Sequence, residues 1–391
     1  MSNLMDYMDW RGDVPFSGSP FNEIDNIILS IACMADFSGI VSDSFEAEPV
    51  DFPTAMRRFE ETEDGRDYLG LIFPKNFLEA AHRAAECERF RHIKLTGYVN
   101  IIDADEQVQF SATTFILPDE TVYIGYRGTD DTLIGWKEDL LLGYGKAVPA
   151  QKRGLAYLED VAVHLDGGIR MGGHSKGGNI AIYSAINAPG IIRARIVDVY
   201  NNDGPGFFAE TLESEGYREM SDRIVTLLPQ SSIVGALFEQ SLICRIIKST
   251  QTGLIQHDPL SWEVMGSRFV YLDKRSKFGE TTDKALKTWI YSLNEEEKEL
   301  FSRVAFEIID STGAKTLTDL NESRMKNVIA MTKTLNALDS ETRTKVAKIV
   351  SRLFDGNKEP IATVDVCEPG QVKIKFTLPP EDKNKGSKKK K

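Results

Sequence analysis

Cysteine is scarce in this chain. Only Cys33, Cys87, Cys244 and Cys367 occur in 391 residues. They lie far apart with no Cys-x-x-Cys spacing, which suggests neither a zinc site nor a disulfide framework and reads as reduced thiols. Histidine is nearly as rare, with five in all, so any reaction needing an imidazole has few places to find one. Long apolar runs are missing as well, none approaching the roughly 18 residues a membrane span requires. The opening Met1-Ser2-Asn3-Leu4-Met5-Asp6-Tyr7 is acidic where a signal peptide is basic, and a cytoplasmic protein is expected. Basic residues are outnumbered, 47 against 59, for a formal charge of −12. A phosphate-backbone binder needs a concentrated basic surface, so nucleic acid is not an expected partner. The exception is 371–391, where eight lysines face only Glu381 and Asp382 and the chain ends in four lysines. That stretch reads as a solvated, disordered tail, the alternative being weak contact with acidic surfaces.

What remains is ordinary globular material, 41% apolar and 27% charged, enough for one large core and an appendage. Asn22 caps an expected helix carrying Ile24, Ile27, Ile28 and Ile31 on one face, and 76–90 reads as a second helix. The period then changes to that of strands at 93–102, 108–117 and 121–127, separated by acidic turn signals. After this meander, strands and helices alternate. A helix is expected over 151–165, a strand over 168–172, a helix over 176–188, and strands over 195–200, 223–228 and 243–248. Alternation of this kind predicts a mainly parallel sheet with right-handed crossovers. Beyond residue 276 three helical patterns follow, one capped by Asn294 and stopped at Gly313, then 319–338 and 339–354. Their amphipathic faces are expected to pack on the core or on each other. A short hairpin is expected from 361–366 and 372–378. The organisation predicted is thus a main domain over 1–275, a helical appendage over 276–370 and the basic tail over 371–391.

One stretch carries chemistry. Gly173-His174-Ser175-Lys176-Gly177 follows an apolar strand and opens a helix whose Gly178, Ala181, Ala185 and Ala188 form a face narrow enough to lie close on a sheet. A serine on such a strand-to-helix turn has its hydroxyl pushed out at the sheet edge, and Ser175 is the candidate nucleophile. A serine hydroxyl needs a base, an orienting acid and donors for the oxyanion. Four of the histidines fall in helices, at a strand start or inside the turn itself, which leaves His257 as base. Asp203 follows a strand at the sheet's expected active edge and fits two readings, the orienting acid or a turn aspartate. Asp258 ranks below it, because neighbours in a loop seldom orient toward one another. Oxyanion donors are expected from the N–H of Lys176 and from Arg127-Gly128-Thr129-Asp130, with Thr129 adding a hydroxyl. Trp136 and Asp139 are read as holding that loop's shape.

These residues resemble the α/β-hydrolase superfamily and, within it, the class 3 lipases, in Arg127-Gly128-Thr129, Trp136 with Asp139, and Gly173-His174-Ser175-Lys176-Gly177-Gly178. Asp6-Tyr7-x-x-Trp10-Arg11-Gly12-Asp13, Asp203-Gly204-Pro205-Gly206-Phe207, Ser232-Ile233-Val234-Gly235 and Gln256-His257-Asp258 resemble more closely a bacterial family of lipase-like hydrolases catalogued as a domain of unknown function. The resemblance covers roughly 1–275 and implies an α/β-hydrolase fold and acyl-transfer chemistry. It departs in two places. Class 3 lipases carry their acid after the strand at 223–228, where this chain has Ser232; pancreatic-type lipases place it one strand earlier, where Asp203 stands. Lys176 replaces the usual apolar residue, and its cation would favour a negatively charged or polar acyl group unless it points to solvent.

The function expected is that of a serine hydrolase cleaving a small-molecule or lipid acyl ester, or a thioester, through an acyl-enzyme, with no metal or organic cofactor. The alternative is a weak or inactive hydrolase fold serving as an interaction module.

Overall fold

The computed structural model describes residues 1–62 and 77–355 together with strands at 362–367 and 371–376. Two capped helices begin the chain, α1 (Leu4–Arg11) and α2 (Glu23–Ala32). Asn22 accepts from the N–H groups of Ile24 and Asp25, and Asp25 returns the bond to the Asn22 N–H. That reciprocal cap satisfies donors the helix itself cannot. Strand β1 (Val50–Asp51), α3 (Phe52–Glu60) and α4 (Phe77–Glu86) follow. The meander is β2 (Lys94–Asp103), β3 (Val108–Ile116) and β4 (Val122–Tyr126).

From there the chain alternates as α5 (Leu133–Leu141), α6 (Pro149–His164), β5 (Ile169–His174), α7 (Lys176–Asn187), α8 (Gly190–Arg193) and β6 (Ile196–Asn202). Next come α9 (Ala209–Leu212), α10 (Glu215–Met220), β7 (Ile224–Pro229) and β8 (Ile243–Ile247). Three two-residue strands, β9 (Val264–Met265), β10 (Arg268–Phe269) and β11 (Tyr271–Leu272), lead into the C-terminal helices.

The sheet has nine strands in the order β1-β2-β3-β4-β5-β6-β7-β8-β11. Pairings from β4 to β8 are parallel, while the meander and both edges are antiparallel. The sheet is therefore mixed, with a parallel run where the alternation predicts one and antiparallel pairing in the meander and at two short edge strands. Two-residue edge strands such as β1 and β11 are too short for any period to register in the sequence.

Both faces of the sheet are covered. In β4, Tyr123 belongs to the core shared with α1 to α4, and Val122, Ile124 and Tyr126 to the core shared with α6 and α7. Successive residues of a strand point to opposite faces, which is how one strand serves two cores. Helix α2 was expected to bury one face, yet every one of its residues is buried. Its polar residues find partners there: Asp25 pairs with the fully buried Arg89, and Asn26 donates to Asn202 Oδ1 at 2.8 Å.

The C-terminal helices are α11 (Lys277–Ser292), α12 (Glu295–Asp310), α13 (Leu317–Glu322), α14 (Arg324–Ala337) and α15 (Ser340–Asp355). Two differences from expectation appear. Helix α11 is additional, capped by Ser276 and carrying three threonines and three lysines among its sixteen residues. The pattern over 319–338 is broken at Ser323, because Thr316 caps α13 and Asn327 binds the Asp319 and Leu320 carbonyls that would have continued it. These helices pack on one another and on the core. The Trp289 indole donates to the Ile349 carbonyl at 2.7 Å, and Lys137 of α5 pairs with Asp310 of α12 at 2.5 Å. Strands β12 (Ala362–Cys367) and β13 (Gln371–Phe376) pair antiparallel where a hairpin was expected. The remainder of the lysine-rich tail, and the start of the helix expected from residue 76, lie outside the described residues.

Candidate active site

Strand β5 ends at His174 and α7 begins at Lys176, leaving Ser175 alone in the turn with φ 58° and ψ −132°. A side chain in that region costs roughly 1–3 kcal/mol of backbone strain, so the surroundings must impose it. They do so by crowding. A Cβ on Gly177 would stand 2.0 Å from the Tyr126 carbonyl oxygen, so α7 can cross β4 this closely only without a side chain there. The Ser175 N–H is tied to the Asn202 carbonyl at 3.0 Å, fixing the turn to the end of β6.

Immediately after Asn202 comes Asp203, also at positive φ, 54°, with its N–H bound to the Leu227 carbonyl at 2.9 Å. Its carboxylate is buried and has two partners. Oδ2 accepts from His257 Nδ1 at 2.8 Å, and Oδ1 accepts from the Ser232 hydroxyl. A carboxylate can only accept, so Nδ1 of His257 carries the proton and Nε2 is left as the acceptor. Of the two readings open for Asp203, the geometry supplies the hydrogen bond the first requires. Asp258 instead caps a short turn through Leu260 N–H at 3.0 Å.

His257 is pinned from several sides. Its carbonyl accepts from His174 Nε2 at 2.7 Å, and the two rings lie 4.3 Å apart. Burial and the nearby His257 push His174 well below the ordinary imidazole range, so it stays neutral. The preceding residue, Gln256, is fully buried, accepts from the Ser231 N–H at 2.8 Å and receives the Trp262 indole N–H on its carbonyl at 2.8 Å.

On the other side of the serine, the loop after β4 approaches so closely that a Cβ on Gly128 would stand 2.6 Å from the His174 carbonyl oxygen. The Thr129 hydroxyl donates to Asp139 Oδ2 at 2.6 Å. Its proton is thus committed to Asp139, where a hydroxyl free to donate into the site was expected. Burial pushes the Asp139 carboxyl up to about 6, with Lys176 opposing. The N–H of Lys176, first residue of α7, has no acceptor within its helix, as at any helix start.

The Lys176 side chain overturns a second expectation. It points neither to solvent nor toward an anionic substrate. Nζ is buried and bonds to Glu138 at 2.9 Å, to Gln109 Oε1 at 2.7 Å and to the Gln109 carbonyl at 2.9 Å. Glu138, fully buried, also accepts from the N–H groups of Gln109 and Ala150. The cation is neutralised inside the fold and ties the start of α7 to β3, α5 and α6.

A cavity of about 700 Å³ opens on these groups, lined by Thr129, Ser175, Lys176 and His257 together with residues of α5 and the C-terminal helices. Four of the five residues singled out from the sequence thus line one cavity, and the fifth, Asp203, lies behind His257 and bonds to its ring. Ser232, Gln256, His174 and Glu138 were not anticipated as supports; His174, Ser232 and Gln256 stand in the motifs that carry the resemblance, and Glu138 left no trace. Among the described residues no cluster of His, Cys, Asp and Glu could hold a metal, and no helix is long and apolar enough to cross a membrane. Cys33, Cys87 and Cys244 are free thiols.

A model of the family described as Mbeg1-like matches residues 84–307, more than half of the chain and including Thr129, Ser175, Lys176, Asp203 and His257. Among solved structures, the crystal structure of M37 lipase is similar over 48% of this chain and 70% of its own, at 15% identity and a TM-score of 0.31. No curated protein matches the chain.

Proposed function

Because the chain belongs to the Mbeg1-like family, whose span encloses Ser175, Asp203 and His257, we propose that it is a lipase-like serine hydrolase cleaving an ester or thioester through an acyl-enzyme. The observation that carries this reading is the His257–Asp203 hydrogen bond, 2.8 Å, opening on the same cavity as a serine held at φ 58°.

Each group then has a role. His257 Nε2 takes the proton of Ser175 as Oγ attacks the acyl carbon, and Asp203 holds the imidazole in the tautomer this requires. The tetrahedral oxyanion accepts from backbone N–H groups of Lys176 and Thr129. Collapse expels the alcohol or thiol, which leaves with the proton from His257. Water repeats the sequence on the acyl-enzyme, giving its proton to His257 and releasing the acid with Ser175 restored. The reaction needs no cofactor, and no step requires the Lys176 charge.

A fluorophosphonate probe tests this directly. The folded protein should be labelled at Ser175, and labelling should vanish in Ser175→Ala. Wild-type protein that stays unlabelled under conditions that label a known serine hydrolase would favour an inactive fold used for interaction.

A further inference from the structure

We propose that the C-terminal helices are not an accessory to the hydrolase core but one wall of its substrate site, closing an acyl-chain subsite whose length Ile309 and Leu320 limit. The proposal rests on the hydrolase reading above and adds the chemistry of the group it accepts.

The cavity beside Ser175 is the starting point. Its lining combines Thr129, Ser175 and His257 of the hydrolase core with Trp289, Phe301, Ile309, Leu317 and Leu320 from α11, α12 and α13. Trp289 and Phe301 meet edge to face at 5.5 Å, and with Ile309, Leu317 and Leu320 they also present apolar surface to the cavity. At about 700 Å³ that space would accommodate a drug-sized molecule and far exceeds an acetyl group.

Charge narrows the occupant. Two cations line the cavity, and each has a carboxylate of its own: Lys176 pairs with Glu138 and Lys298 with Glu295, both at 2.9 Å. Neither is left to hold an anionic acyl tail. An uncharged, largely apolar chain fits a lining in which most of the side chains are apolar.

A second observation, independent of the cavity, joins the same helices to the chemistry. The segment directly after the oxyanion loop is bonded to the connection between α12 and α13. Leu133 N–H donates to the Lys315 carbonyl and Leu317 N–H to the Asp131 carbonyl, both at 2.9 Å, and Thr318 N–H reaches Asp131 Oδ2 at 3.2 Å. The helix pair that would touch the acyl chain is thus held by main-chain bonds to the loop that would meet the oxyanion. A chain filling the subsite presses on the same rigid unit that positions the donors.

The experiment is the chain-length profile of p-nitrophenyl esters from acetate to palmitate, read as kcat/KM. Wild-type protein should gain roughly threefold to fourfold per methylene while the chain is being buried, then level off. Ile309→Trp and Leu320→Trp should lower the ratio of long-chain to butyrate kcat/KM at least tenfold and move the optimum to shorter chains. Met325→Trp, on the exposed face of α14, should leave that ratio where it was. A wild-type optimum at acetate, or tryptophan variants whose profiles superimpose on wild type, would overturn the proposal.

Failure of the hydrolase reading gives a different signature, absence of Ser175 labelling, and the subsite is then judged by binding alone. Trp136 and Trp289 line the cavity, so cis-parinaric acid bound to the Ser175→Ala protein should quench tryptophan emission. Micromolar binding weakened by Leu320→Trp supports the subsite; no saturable quenching refutes it.

Discussion

Ser232 donates its hydroxyl to Oδ1 of Asp203, the carboxylate oxygen opposite the one that accepts from His257. The Ser232 hydroxyl also accepts from the Gly235 N–H at 2.9 Å, so its own direction is fixed. The acid and its orienting donor thus come from the ends of two adjacent strands, β6 and β7. Ser232→Ala should lower kcat/KM roughly tenfold to a hundredfold, the range for losing a hydrogen bond to a charged group. Ser232→Thr should restore most of it. An alanine variant as active as wild type would show that Asp203 needs no second partner.

Asp203→Asn keeps the shape of the side chain but supplies a donor where His257 Nδ1 needs an acceptor. Turnover should fall about 10⁴-fold with the folded structure retained. Circular dichroism and ester hydrolysis together check this, and retained turnover would move the orienting acid elsewhere.

The Lys176–Glu138 pair is buried on both sides, 1% and 0% exposed. Removing one member strands the other charge, which typically destabilises by about 3–5 kcal/mol. Urea unfolding of Lys176→Met and of Glu138→Gln should show losses of that order. The double variant should be more stable than the two losses added together. Independent, additive effects would mean that the pair is not a unit.

Asp139 gives a pH dependence with a definite sign. Its carboxyl is held at about 6 in the fold, above the ordinary carboxylate range, chiefly by burial. The folded state therefore binds the proton more tightly than the unfolded chain between about pH 4 and 6, and stability from this group is lost as pH rises through that window. Asp139→Asn removes the titration while keeping an acceptor for Thr129. The stability of the variant relative to wild type should rise from pH 4 to 6 and level off above. A difference that shrinks over that range would reverse the assignment.

Much of this molecule was written locally and could be read. The strands of the meander and of the parallel run each carry enough residues for a period of two or an unbroken apolar run to register. The turn around Ser175 is a five-residue signal whose glycines are dictated by the closeness of Tyr126. His257 could be found because so few histidines compete. What escaped depends on partners distant in sequence. Nothing around Lys176 indicates that Glu138 and Gln109 will meet it, and nothing around His174 indicates that it will bind the carbonyl of His257. The Thr129 hydroxyl looked free although Asp139, read as holding the loop's shape, is its acceptor from nearly two turns into α5. An amphipathic face shows that the C-terminal helices pack, not which element each one meets.

The strain at Ser175 also bears on how the fold could drift. At φ 58° a glycine would sit without penalty, so Ser175→Gly should be harder to unfold than the wild-type protein while losing its nucleophile. Selection for stability alone would therefore favour replacing this hydroxyl, so the same strained backbone that raises the serine also makes the residue costly to keep.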